Sequence, residues 1–184
     1  AEDGIRDYKV TGVQTCALPI YNTATPVMTA EMWDPATEQF SPLADMAVGR
    51  WYHSTALLLP DGRILSAGGD GNKSAEIYSP PYLFQGTRPS LTNVTQLVYY
   101  GKSYSCNFTS ENKIVALNLL KLGSVTHSVN FDQRIVKLSF KQSKDRLSYT
   151  LPTNPNLCPP GYYMLFAIDK SGRPSVAKII KVHA

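Results

Sequence analysis

Two segments of this chain echo each other. Ala30 opens "AEMWDP" and Ala75 opens "AEIYSP", 45 residues later. Between them, from Tyr52 to Asp70, runs "YHSTALLLPDGRILSAGGD". An apolar strand there meets Pro60-Asp61-Gly62, and a second strand ends in Gly68-Gly69. Proline presets the φ angle of a turn and glycine takes up positive φ, so Pro-Asp-Gly between two apolar runs marks a hairpin. No other feature constrains the fold as strongly. A strand–turn–strand unit repeated at this period cannot bury both of its faces by itself, so neighbouring units must stack against it.

A double glycine followed by a short loop and then a glutamate, an aromatic and a proline, as at Glu76, Tyr78 and Pro80, has the rhythm of a kelch blade, whose repeat is near ~50 residues. Residues 21–86 therefore read as a partial kelch propeller of about one and a half blades, the remaining blades being expected upstream. Residues 1–20, "AEDGIRDYKVTGVQTCALPI", show no sustained periodicity and no link to the repeat. They resemble the translation of a sequencing adapter, as found at the ends of reading frames from environmental assemblies. The alternative is an ordinary flexible segment. The expectation is a non-native stretch that is not part of the fold, so that Cys16 has no functional weight.

The pattern changes after "SPPYLFQGTRPSL", where Pro80-Pro81 and Pro89 mark a linker and a new start. Short strand candidates then recur at Leu97–Tyr100, Ser103–Thr109, Ile114–Leu122, Arg134–Phe140, Leu147–Leu151, Gly161–Asp169 and Val176–Val182. About seven strands in a hundred residues fit an immunoglobulin-like β-sandwich over 87–184. Its clearest hairpin is expected to turn at Lys170-Ser171-Gly172. No segment holds a helical period over three turns, so the fold class is all-β.

Composition narrows the function. A hydrophobic content of 43% with 17% charged residues is that of a globular chain. The net charge of +4 is mild and scattered. The densest basic run, Lys141–Arg146, also holds an acid and reads as a solvated hairpin loop. Neither nucleic acid nor a membrane is an expected partner; no apolar run approaches membrane-spanning length. With Cys16 set aside, Cys106 and Cys158 remain, as a disulfide or as two buried thiols. Sequons stand at Asn72, Asn93 and Asn107. They matter only in a glycosylating pathway.

Few residues could carry chemistry. Tyr52-His53 stands at the start of a strand. Neighbours on an ideal strand point to opposite faces, so both could reach one point only where the backbone bends. Taken alone, the pair reads as structural. His127, in "GSVTHSVNFDQR", is one of three histidines in 184 residues. By itself it reads as a satisfied loop histidine, and His183 as a terminal strand residue with no role.

The motifs "RWYHSTALLLPDGRILSAGG", "EIYSPPYL", "SVTHSVNFDQR" and "PGYYMLFAIDKSGRPSVAKIIKV" occur in this order. Together they resemble the C-terminal part of galactose oxidase and the related glyoxal oxidases, the copper-radical oxidases. The resemblance runs from about Ala30 to the end. It implies a kelch propeller followed by an immunoglobulin-like early set domain, with a loop of that domain delivering a ligand to copper. It implies His53 and His127 as equatorial ligands and Tyr52 as the axial one. Imidazole nitrogen and phenolate oxygen suit tetragonal copper(II), and a phenolate can take the proton of a bound alcohol.

The same resemblance implies secretion, a small alcohol, aldehyde or carbohydrate substrate, and dioxygen reduced to hydrogen peroxide. The family's redox tyrosine, cross-linked to a cysteine, has no matching motif in this chain. The expectation is therefore a C-terminal fragment of an oxidase, inactive by itself and binding copper weakly. A different class of function is a non-catalytic kelch and immunoglobulin-like module that binds carbohydrate or protein, because fold does not fix function.

Overall fold

The computed structural model describes residues 13–14, 28–34, 37–50, 52–126 and 129–183. The chain divides into two compact units. The first comprises Ala1–Leu59, Arg63–Ser79 and Gly123–Phe131; the second comprises Pro60–Gly62, Pro80–Leu122 and Asp132–Ala184. Among the described residues, all regular structure is β apart from one 3-10 turn at Pro81–Phe84, and no helix is long and apolar enough to cross a membrane. The all-β reading is borne out.

In the first unit, β1 (Val13–Gln14), β2 (Thr29–Asp34) and β3 (Gln39–Asp45) form an antiparallel sheet in that order. The pairing of Val13 with Met32 gives part of the adapter-like stretch a partner in this sheet; the rest of that stretch, Cys16 included, lies outside the described residues. A second meander runs β4 (Ser54–Leu58), β5 (Ile64–Gly68) and β6 (Ala75–Tyr78). Its β4–β5 hairpin pairs Ser54 with Gly68 through Leu58 with Ile64. The Leu59 amide donates to the Arg63 carbonyl at 2.8 Å, closing a three-residue turn at Pro60-Asp61-Gly62. Gly62 sits there at φ 83°, a conformation that suits glycine.

The repeated motif lies in strands at both ends, and the chain then diverges. After "AEMWDP" it turns back into β3. After "AEIYSP" it enters Pro80-Pro81 and the 3-10 turn. The prolines lack the amide donor that another paired strand would need.

The second unit is a sandwich. Its strands are β7 (Ser90–Thr92), β8 (Leu97–Tyr99), β9 (Ser103–Thr109) and β10 (Ile114–Lys121). Between β10 and the rest, β11 (Val125–Thr126) and β12 (Val129–Asn130) pair with each other and count with the first unit. The second unit resumes with β13 (Ile135–Lys137), β14 (Phe140–Ser143), β15 (Arg146–Thr150), β16 (Gly161–Asp169) and β17 (Lys178–His183). One sheet has the order β13-β10-β16-β17-β8 and the other β14-β15-β9-β7.

The two inner faces interdigitate in one core. Leu147 and Tyr149 alternate inward from β15, and Cys106 and Phe108 from β9. They meet Leu117 and Leu119 of β10 and Tyr163, Leu165 and Ala167 of β16. Each large apolar side chain so enclosed contributes about 1.5–3 kcal/mol of transfer free energy.

Two elements differ from the sequence reading. The candidate Arg134–Phe140 is two strands: β13 pairs with β10 in one sheet, and β14 begins at Phe140 in the other. The chain crosses between sheets at Leu138-Ser139, which a single apolar run does not reveal. Lys141–Arg146 is the solvated tip of the β14–β15 hairpin, all six residues exposed, but its loop is only the tight turn at Lys144-Asp145, the rest being strand. Lys144 takes φ 49° in that turn. The expected turn at Lys170-Ser171-Gly172 is present. Asp169 Oδ1 accepts the amides of Ser171 and Arg173 at 2.9 and 3.0 Å, an Asx-type closure.

Candidate functional site

The β4–β5 ladder continues past the strand ends. The Gly69 amide donates to the His53 carbonyl at 3.2 Å, and the Asp70 amide to the Tyr52 carbonyl at 2.9 Å. Asp70 is thereby set opposite Tyr52-His53. Two glycines permit this close approach. A β-carbon on Gly68 would lie 2.8 Å from the His53 carbonyl oxygen, and Gly68 and Gly69 have φ of 76° and 103°.

The backbone bends at His53, which has φ 62°. Few non-glycine residues take this left-handed conformation, and it marks a site worth a functional question. The bend brings both side chains of the Tyr52-His53 pair to one side, with ring centroids 3.9 Å apart and tilted by 36°. His53 Nδ1 lies 2.7 Å from Asp70 Oδ1, and both side chains are close to half exposed. With Nδ1 facing a carboxylate, the nitrogen that a metal would take is Nε2.

Behind the pair, Arg50 is 3% exposed and holds the frame. Its guanidinium donates to the carbonyls of Gly68 and Ser74 at 2.9 Å each, to Ser74 Oγ at 3.0 Å and to Glu76 at 3.2 Å. The loop after Asp70 is closed by its own bonds. The Asn72 amide donates to Gly69, and Asn72 Oδ1 accepts the amide and hydroxyl of Ser74.

Of the three residues read as copper ligands, Tyr52 and His53 are adjacent as described. His127 lies outside the described residues. The hairpin on either side of it pairs Val125 with Asn130, and Asn130 Oδ1 accepts the Ser124 amide at 3.1 Å. Among the described residues, no three His, Cys, Asp or Glu side chains cluster as a metal site. Sequence reading missed Asp70 and Arg50. The signal for Asp70 was available: the Pro-Asp-Gly turn sets a register that places residue 70 across from residue 52.

Cys106 and Cys158 are both free and buried, which settles their alternative in favour of two thiols. Burial raises the Cys106 thiol to about 11. Burial raises Cys158 as well, against a hydrogen bond with Tyr163 that lowers it. Both belong to the second unit, while Tyr52 and His53 belong to the first.

Residues 88–182, just over half of the chain, match the family model "Galactose oxidase-like, Early set domain". The chain belongs to this family. As a galactose oxidase-like early set domain, its sandwich has the architecture that the sequence suggested. The chain is 34% identical to galactose oxidase of Gibberella zeae, with 94% of this chain and 27% of that protein covered. It is 34% identical to the aldehyde oxidase GLOX of Vitis pseudoreticulata, with 80% of this chain and 33% of that protein covered. A solved structure of a fungal alcohol oxidase of the AA5 family, in complex with copper, is 32% identical with a TM-score of 0.81. That similarity covers 91% of this chain and 38% of the other. The chain thus spans about a quarter to a third of the length of these curated relatives.

Proposed function

We propose that this chain is the C-terminal part of a secreted copper oxidase, whose intact form oxidises a primary alcohol or aldehyde and reduces dioxygen to hydrogen peroxide. In this reading residues 21–86 are a kelch propeller remnant and 87–184 the early set sandwich. Tyr52, His53 and His127 hold the metal.

One observation carries the reading. In a chain 34% identical to galactose oxidase, the backbone turns left-handed at His53 and sets an imidazole beside a phenol, at 3.9 Å between rings. Nitrogen and oxygen donors of this kind fit copper(II). The segment Gly123–Phe131, which contains His127, counts with the unit that contains Tyr52 and His53, and this also supports the reading.

Copper, when bound, supplies the one-electron redox chemistry. The chain's own part is to hold it through the imidazoles of His53 and His127 and to receive the proton of a bound alcohol on Tyr52 Oη. A general-base role of this kind is typically worth 10²–10⁴-fold in rate, by roughly the range seen for positioned side chains.

The test uses the purified chain, copper(II) salt and an oxidant. Copper is expected to bind weakly, and His53→Ala and His127→Ala each to reduce that binding. No peroxide is expected from galactose, glyoxal or simple alcohols. Copper binding unchanged in both variants would overturn the site. Sustained peroxide production, lost in His127→Ala, would overturn the expectation that the chain is inactive by itself.

A further inference from the structure

We propose that Asp70 is a positioning residue for His53. Its carboxylate holds the imidazole in the tautomer that carries its proton on Nδ1 and so directs Nε2 to a metal. This rests on the reading of His53 as a copper ligand and adds to it a residue outside the ligand set.

The geometry is built in three steps. The three-residue turn at Pro60–Gly62 sets the β4–β5 register, and the Gly69 and Asp70 amides extend the ladder to His53 and Tyr52. The glycines at 68, 69 and 71, with φ of 76°, 103° and 76°, let the chain turn away immediately after Asp70. The bend at His53 then swings its ring so that Nδ1 meets Asp70 Oδ1 at 2.7 Å, a length in the range of charge-assisted hydrogen bonds.

The chemistry follows from the donor inventory. An ionised carboxylate only accepts, so the nitrogen facing it carries the proton, and in the neutral ring the lone pair is then on Nε2. Metal-binding histidines commonly donate their second N–H to a carboxylate in this way, and loss of that partner typically costs about 10–100-fold in metal affinity.

A purely structural role suits this carboxylate poorly. Asp70 and His53 side chains are 41% and 48% exposed, and a hydrogen-bonded polar pair so open to solvent contributes little to stability. Asp169, by contrast, is fully buried against Arg173. The loop around Asp70 closes through Gly69, Asn72 and Ser74 without its side chain. What the Asp70 carboxylate adds is the orientation and protonation pattern of one ring.

The experiment compares the full chain with Asp70→Ala, Asp70→Asn and His53→Ala. Nitrogen-15 correlation spectra report the tautomer of the neutral ring, His53→Ala identifies its signals, and competition with a weak chelator gives copper(II) affinity. The full chain should show the Nδ1–H form. Asp70→Ala should move it toward the Nε2–H form and weaken copper binding about 10–100-fold, with the thermal midpoint nearly unchanged. Asp70→Asn, which keeps the shape, should fall between the two.

A His53 tautomer unchanged in both Asp70 variants would overturn the proposal about Asp70. A loss of copper affinity that only tracked a loss of folding in both variants would overturn it too. Copper affinity unchanged in His53→Ala would overturn the underlying copper reading instead, and the tautomer measurement keeps the two failures apart.

Discussion

Arg50 donates to the carbonyl of Gly68 at 2.9 Å, and Gly68 is the residue whose missing side chain makes room for the carbonyl of His53. One buried cation thus fixes the strand end on which the Tyr52-His53 bend rests. Arg50 also bridges to Ser74 and Glu76 at the start of β6, so a single guanidinium ties together β5, the loop carrying Asp70, and β6.

Replacing Arg50 with methionine removes the guanidinium from these carbonyls and from Glu76, which keeps the Ala47 amide at 2.7 Å. Glu76 is a quarter exposed, so the cost is that of losing hydrogen bonds to a charged donor, about 1.5–3 kcal/mol. Hydrogen exchange should show the amides of residues 54–78 losing protection, and urea titration should show the first unit unfolding at lower denaturant. Unchanged protection there would mean that the strands hold without the clamp.

Gly68→Ala and Gly71→Ala separate backbone strain from collision. Both glycines have φ 76°, so an alanine at either position bears the left-handed cost of about 1–2 kcal/mol. A β-carbon at 71 meets nothing within 4 Å, whereas at 68 it lies 2.8 Å from the His53 carbonyl oxygen. Gly68→Ala should therefore be the more damaging, by about 1 kcal/mol or more, and should shift the amide resonances of residues 52–54. Equal effects of the two substitutions would remove the steric argument.

Asp169 makes the sandwich sensitive to acid. Burial by itself would raise this carboxyl, but the amides of Arg173 and Ser171 and the Arg173 guanidinium outweigh it, and the group is held below its ordinary 3.8. A value depressed in the folded state stabilises the fold fully above the unfolded value. The contribution is lost as pH falls from near 3.8 through the folded value. Denaturant midpoints measured from pH 6 down to 2 should fall steeply in that lower window. Asp169→Asn should be less stable at pH 7 and show a flatter acid limb. A parallel acid limb would assign the loss to other carboxylates.

The sandwich thiols should be silent in the native protein. A Cys106 thiol raised to about 11 by burial has roughly one thiolate in a thousand at pH 8. In a Cys16→Ser background, a thiol reagent should modify neither Cys106 nor Cys158 until guanidinium unfolds the chain, after which both should react. Reductant should leave the thermal midpoint unchanged. A midpoint that drops on reduction would reveal a disulfide instead.

The sequence by itself determined the all-β class, the hairpins at Pro60–Gly62 and Lys170–Gly172, and the resemblance that led to the family. These rest on local signals: apolar alternation, as in Leu147 and Tyr149 of β15, and the turn chemistry of proline, aspartate and glycine. Tertiary structure decided the rest, because side-chain partnership across space has no local signature. Asp70 meets His53 only because the ladder runs two residues past β5 and the backbone bends at His53. Arg50 is buried only because strand ends converge on it. The apolar run through Arg134–Phe140 changes sheets because β10 and β15 lie on opposite layers of the core. Alternation says that a residue points inward, but only the packed layers determine what it finds there.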